Sequence, residues 1–280
     1  MRHRALVLVG VWLVCAPGTA SVEGQAQQKF DPVNTKLVVR PTGTDGVTVA
    51  ENVVFKSVDG SDLAIDIYAR AAQGPQPAVV LVSGGTTVRT WGLYKDYGRL
   101  VAASGMIAVV PDKRYQQGPQ GIEQGSQDTL DLLAHLRENA AKYGIDAGRI
   151  CMWTFSAGGN LVHLGLQPEQ GLACVVAYYG LGVAAARNAL RQHAEKMPPM
   201  LVVRAGRDSP VLNNAIDVFI GAALSLNAPV TLINYPDGLH AFEVEDFRPE
   251  VTQASNVAAT GRILRSTLDW IRSHAGVQSR

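Results

Sequence analysis

Thr154-Phe155-Ser156-Ala157-Gly158-Gly159-Asn160 is the stretch that decides how this chain folds. Ahead of it, Arg149-Ile150-Cys151-Met152-Trp153 is a compact apolar run that reads as a buried strand. Behind it, Leu161-Val162-His163-Leu164-Gly165-Leu166 reads as the start of a helix. The serine between them is flanked by small residues, as in a strand–turn–helix elbow whose turn is too tight for side chains beside the nucleophile. Such a turn lifts the hydroxyl clear of the sheet and aims the next N–H at an incoming oxyanion. The usual form is G-x-S-x-G, and here Thr154 holds the first position. Taken alone, the stretch also fits a Ser-Gly-Gly helix entry with no chemistry.

Working outward, strands and helices alternate. Asn52–Ser57 and Asp62–Ala69 alternate apolar and polar residues around Asp59-Gly60, a hairpin signal. Pro77–Val82 is apolar throughout, as a strand covered on both faces would be, and ends in Ser83-Gly84-Gly85-Thr86. Helices are expected over Tyr94–Ala103, Asp128–Tyr143, Leu212–Leu226 and Val257–His274. Further strands are expected over Met106–Val110, Leu172–Tyr178, Leu201–Ala205 and Val230–Tyr235. The pattern is α/β: a mostly parallel sheet of about eight strands with an opening antiparallel hairpin and helices on both faces. No internal repeat or low-complexity tract interrupts it.

At 280 residues and 47% hydrophobic, the chain can bury one large core, and residues 51–280 read as a single domain. Residues 27–50 are polar and read as a mobile lead-in, with an edge strand at Leu37-Val38-Val39. Residues 1–26 read as an export signal. Met1-Arg2-His3-Arg4 is basic, Ala5–Cys15 is apolar but too short to span a membrane, and cleavage is expected near Ala20 or Ala26. The expected location is therefore secreted or periplasmic, without a stable membrane anchor. Losing residues 1–26 removes two arginines and one glutamate, so the formal charge falls from +1 to zero. No basic run suggests nucleic acid, and no Cys/His cluster has zinc spacing, so neither metal nor cofactor is expected. Cys151 and Cys174 read as small core residues; export permits a disulfide between them without requiring one.

Catalytic groups in parallel sheets gather at the carboxyl ends of strands. Four expected strand ends carry suggestive residues: Ser83-Gly84-Gly85, Ser156, Asp208 and His240. A hydroxyl is a poor nucleophile near neutral pH, so Ser156 needs a base, and an imidazole can take its proton and return it. Asp208 would accept the other N–H of His240 and fix its tautomer, and the chain order Ser…Asp…His is that of an α/β-hydrolase triad. Asp208 also suits a helix N-cap, and His240 could be an ordinary loop histidine. Asp217 and Asp237 are rival acids. The amides of Ala157 and Gly85 are the expected oxyanion donors, with Thr86 a further claimant. Trp91, Phe155, Tyr178, Tyr179 and Phe242 sit near strand ends, where core packing explains them as well as pocket lining does.

The run Asn139–Asp146 with Arg149-Ile150, leading into Ser156–Asn160, resembles the hormone-sensitive-lipase-like bacterial carboxylesterases. The tail Tyr235-Pro236-Asp237-Gly238-Leu239-His240-Ala241-Phe242 looks closer to the dienelactone-hydrolase-like branch of the same α/β-hydrolase superfamily. Together the likeness spans about Val53 to Ile271. Two positions depart from the pattern: Thr154 replaces a glycine, and Ser83 replaces the histidine of the H-G-G form. Ser156 stands where true dienelactone hydrolases have cysteine, so the resemblance implies an ester substrate without specifying a dienelactone. The expectation is an exported serine carboxylesterase acting on small or short-chain, including carbohydrate-linked, acyl esters. Leu181–Met197, where such folds carry a lid, is short and charged, which disfavours a lipid surface. Two rivals stand beside this reading: a peptidase of the prolyl-oligopeptidase type, and a binding module that keeps the scaffold without its chemistry.

Overall fold

The computed structural model describes residues 31–115, 118–245 and 254–277. The export signal expected over residues 1–26 lies outside them.

The chain opens with β1 (Val47–Val58) and β2 (Ser61–Arg70), joined at Asp59-Gly60. Both turn residues have positive φ, 51° and 74°, as the two-residue turn that matches strand twist requires. β3 (Gln76–Val82), α1 (Gly92–Ala103), β4 (Ile107–Pro111), α2 (Pro119–Glu138) and the single turn α3 (Ala140–Tyr143) follow. Then come β5 (Ile145–Phe155), a 3₁₀ segment over Ser156–Leu161, α4 (Val162–Gly165), β6 (Cys174–Tyr178) and α5 (Val183–His193). β7 (Met200–Ala205), α6 (Pro210–Ser225), β8 (Val230–Tyr235) and α7 (Ala254–His274) complete the chain. The eight strands form one sheet in the order β1-β2-β4-β3-β5-β6-β7-β8. β1 and β2 are antiparallel to each other and β2 to β4, and the remaining pairs are parallel.

Strand periodicity sorts the core into two layers. Val79 and Leu81 of β3, Trp153 and Phe155 of β5, and Val176 and Tyr178 of β6 face one layer, which α1 and α7 cover. Val80 and Val82, Met152, and Val175 and Ala177 face the other, which α2, α5 and α6 cover. Each fully buried Val or Leu contributes about 1.5–3 kcal/mol, so burying both faces is what makes the central strands continuous apolar runs. Register then levels the strand ends: Val82 pairs with Thr154, Phe155 with Tyr178, Tyr178 with Val203 and Ala205 with Tyr235. The loops after β3, β5, β6, β7 and β8 therefore open at one rim.

Three expectations are corrected. The helix expected over Asp128–Tyr143 begins at Pro119, because its polar first turns hide the apolar period. It stops at Asn139, whose side chain donates to the His135 carbonyl at 2.9 Å, before α3 adds one turn. The lead-in is docked from Asp31 onward: Leu37 is buried and bridges Val244, and Gly92 donates to the Pro32 carbonyl at 3.0 Å. Its expected edge strand is reduced to that one bridge. Cys151 and Cys174, register partners on β5 and β6, are joined as a disulfide.

Candidate active site

Ser156 follows the last residue of β5 and holds φ at 52°, a left-handed conformation that is strained for a residue with a side chain. The neighbouring glycines make room for the bend. A Cβ on Gly158 would fall on the Val82 carbonyl, and one on Gly159 would fall on the Gly180 carbonyl. A Cβ on Gly180 would in turn strike the carbonyl of Ser156 itself. Thr154 is fully buried and its hydroxyl donates to the Val176 carbonyl at 3.2 Å, so the departure from glycine is absorbed inside the sheet.

The Ser156 hydroxyl lies 2.7 Å from Nε2 of His240, and Nδ1 of His240 lies 2.6 Å from Oδ2 of Asp208. The loops that carry the acid and the base are tied to each other. Gly206 donates to the Tyr235 carbonyl at 2.7 Å, and Arg207 to the Gly238 carbonyl at 2.8 Å. Capping of α6 falls to Ser209, whose hydroxyl accepts from Leu212, and this leaves one Asp208 oxygen for the imidazole. The other accepts the Ser209 amide at 2.6 Å. The rival acid Asp217 is engaged by Arg204 at 2.7 and 3.0 Å, and Asp237 is exposed.

The loop after β3 differs from its sequence-based reading. The Gly85 amide donates to the Ser83 hydroxyl at 3.2 Å, so it is already engaged. Among the described residues no hydrogen bond uses the Thr86 amide. Gly84 lies against Ala157, where a Cβ would come within 3.2 Å of the Ala157 nitrogen. Of the three expected donors, Thr86 and Ala157 remain for a ligand at this rim.

A profile of the Dienelactone hydrolase family matches residues 65–275. The chain belongs to the dienelactone hydrolase family. A putative carboxymethylenebutenolidase of Escherichia coli (strain K12) is 25% identical over 269 residues, covering 89% of this chain and 94% of the relative. One from Salmonella typhi is 24% identical over 270 residues, covering 88% and 96%. Among solved structures, brefeldin A esterase, described as a bacterial homologue of human hormone sensitive lipase, superposes with a TM-score of 0.62. It is 17% identical, with 85% of this chain and 80% of that one covered. Esterase 2 of Thermogutta terrifontis, bound to propionate, superposes at 0.59 with 19% identity, covering 80% and 95%. The structural likenesses show the α/β-hydrolase fold. This family member is a serine hydrolase acting on ester bonds.

Of the expected pocket aromatics in this dienelactone hydrolase family member, Phe155 and Phe242 are core. Phe155 packs 4.8 Å from Tyr97 and 5.2 Å from Trp153 between ring centres, and Phe242 stacks on Tyr178 at 5.9 Å. Trp91 is half-buried, and Tyr179 sets its ring edge-on to His240 at 4.8 Å. Leu181–Met197 forms no lid. It is the crossover built on α5, with Ala186, Ala189 and Leu190 buried on the sheet side. A cleft of about 450 Å³ opens beside the β3 loop, lined by Ser61, Asp62, Thr86, Thr87, Lys113, Arg114, Tyr115 and Gln124 among others. Among the described residues no helix is long and apolar enough to cross a membrane.

Sequence reading missed two buried ionisable groups. Glu243 accepts hydrogen bonds from the hydroxyls of Tyr97, at 3.0 Å, and Tyr179, and burial raises its pKa above the usual carboxylate range. Lys113 follows β4 and donates to the Gly85 carbonyl at 2.5 Å and to the Ser83 hydroxyl at 3.3 Å. Burial pulls its pKa down to about 7. The available signal for Lys113 was a lysine two residues past the end of an apolar strand run, at the rim where the chemistry gathers.

Proposed function

We propose that this chain is an exported serine carboxylesterase that cleaves short-chain acyl esters through Ser156, His240 and Asp208. The observation that carries the reading is the continuous Ser156–His240–Asp208 contact, with steps of 2.7 and 2.6 Å at one rim of the sheet. His240 accepts the hydroxyl proton at Nε2 as Ser156 attacks the ester carbonyl, while Asp208 holds Nδ1–H and stabilises the imidazolium. The Ala157 and Thr86 amides receive the tetrahedral oxyanion. His240 then protonates the leaving alkoxide, and water attacks the acyl-enzyme with its proton passing to His240. The bond to Ser156 breaks as His240 returns that proton to Oγ and the carboxylic acid leaves.

The charged Leu181–Met197 crossover offers no broad apolar face for a lipid, which supports small acyl or alcohol groups. The propionate held by the Thermogutta terrifontis esterase supports a short acyl chain. Export is supported by the basic and apolar character of residues 1–15 and by the Cys151–Cys174 disulfide, since such bonds persist in oxidising compartments. The test is a panel of acetyl, butyryl, octanoyl and feruloyl esters run beside acetylated sugars and a matched peptide amide. Acetyl and butyryl substrates should give the highest kcat/KM. Faster amide cleavage would favour a peptidase, and no turnover on any substrate would favour a binding module. N-terminal sequencing of secreted or periplasmic protein should begin near residue 21 or 27.

A further inference from the structure

Lys113 is buried at 3% exposure, and no carboxylate among the described residues pairs with it. A buried ammonium without a counter-ion is costly unless its protons are well used. Its shortest bond is to the Gly85 carbonyl at 2.5 Å, and its own backbone amide donates to the Thr86 carbonyl at 3.2 Å. The residue therefore grips the β3 loop with both side chain and main chain. Its ammonium also lies 5.1 Å from the centre of the Tyr115 ring, whose hydroxyl donates to the Ala157 carbonyl at 2.7 Å. The loops carrying both available amides thus meet at this lysine.

In a trans peptide the C=O and the following N–H point in opposite directions. With the Gly85 carbonyl drawn to the ammonium, the Thr86 N–H is turned the other way, and Ser83 holds the Gly85 amide out of the site. We propose that Lys113 is a positioning residue for ester cleavage, its ammonium holding the Gly85–Thr86 peptide so that the Thr86 N–H meets the oxyanion formed on Ser156. This rests on the esterase reading. Ser83, where a histidine would stand in the H-G-G pattern, and Lys113 together hold the loop. The charged groups facing the ammonium are Asp112 on its own loop, bonded by Arg89, and Asp128 on α2, bonded by Lys56 and Arg114. From α1, Tyr94 reaches the same Ser83 hydroxyl. Deprotonation of Lys113 removes the charge from its bond to Gly85, so the holding weakens as pH rises.

The test compares 4-nitrophenyl acetate hydrolysis by the wild type, Lys113→Met and Lys113→Arg, each checked for folding by near-ultraviolet circular dichroism. Lys113→Met should lower kcat about 10- to 100-fold with KM within about twofold, since a misaligned donor costs the transition state and not ground-state binding. Lys113→Arg should recover part of that loss. The wild-type kcat should also decline as pH rises above about 7, and Lys113→Arg should lack that decline because a guanidinium stays charged. An unchanged kcat in Lys113→Met, or a rise in KM alone, would overturn the proposal while wild-type turnover kept the esterase reading intact. If Lys113→Met does not fold, the wild-type profile decides, and a kcat flat from about pH 7 to 10 overturns it. A wild type that neither turns over nor reacts with a fluorophosphonate would instead bring down the esterase reading and the proposal with it.

Discussion

At the scale of single residues, Ser156 combines a backbone that only its surroundings can hold with a hydroxyl already bonded to its base. Ser156→Ala should lower kcat by about 10⁶-fold with the fold intact, measured on an acetyl ester. Asp208→Asn keeps the shape but offers His240 an amide, which leaves the wrong tautomer free to form; a loss of about 10⁴-fold in kcat is expected. Gly158→Ala tests the elbow without touching the chemistry. Its Cβ would overlap the Val82 carbonyl, so the urea midpoint should reveal a destabilisation of about 1–3 kcal/mol. The three side chains of this site were readable in the sequence because each follows an apolar strand and each is a residue type that ester cleavage needs. The oxyanion loop was read less well. Which amide is free depends on where the Ser83 hydroxyl and the Lys113 ammonium turn, and neither partner is close to the other in sequence.

At the scale of elements, apolar continuity identified β3 to β8, and Asp59-Gly60 identified the opening hairpin, because those signals are local. The docking of the lead-in was not readable, since its anchor is a partner two hundred residues away. Val38 donates to the Glu243 carbonyl and Glu245 to the Lys36 carbonyl, at 2.9 and 2.8 Å, so this stretch braces the loop that carries His240. Leu37→Ala should therefore cost about 2–4 kcal/mol in urea and also lower kcat, because the cavity lies behind the base loop. A stability loss with unchanged kcat would show that the brace and the catalytic loop are uncoupled. The exposed Arg40–Glu245 ion pair beside it, at 2.6 Å, should contribute little, as surface pairs do. α5 shows the opposite kind of misreading. Its place in the chain suggested a lid, yet Ala186, Ala189 and Leu190 pack on the sheet and make it an ordinary crossover.

At the scale of the whole molecule, two apolar layers leave few places for charge, and Glu243 occupies one of them. It sits fully buried with one carboxyl oxygen unpartnered among the described residues, and burial raises its pKa above the unfolded value. The native state therefore holds this proton at a pH where the unfolded chain has lost it. The stability it contributes is complete below about 4.5 and is lost as pH rises through the raised folded pKa. Urea midpoints across that window should fall with pH in the wild type, and this component should disappear in Glu243→Gln. The central claim is that Ser156, His240 and Asp208 act together on an ester. The most direct measurement is reaction of the folded chain with a fluorophosphonate, with the adduct located by tandem mass spectrometry. One adduct on Ser156, lost in Ser156→Ala and greatly slowed in His240→Ala, is the expected result. No adduct on folded protein, or labelling that survives Ser156→Ala, would contradict it.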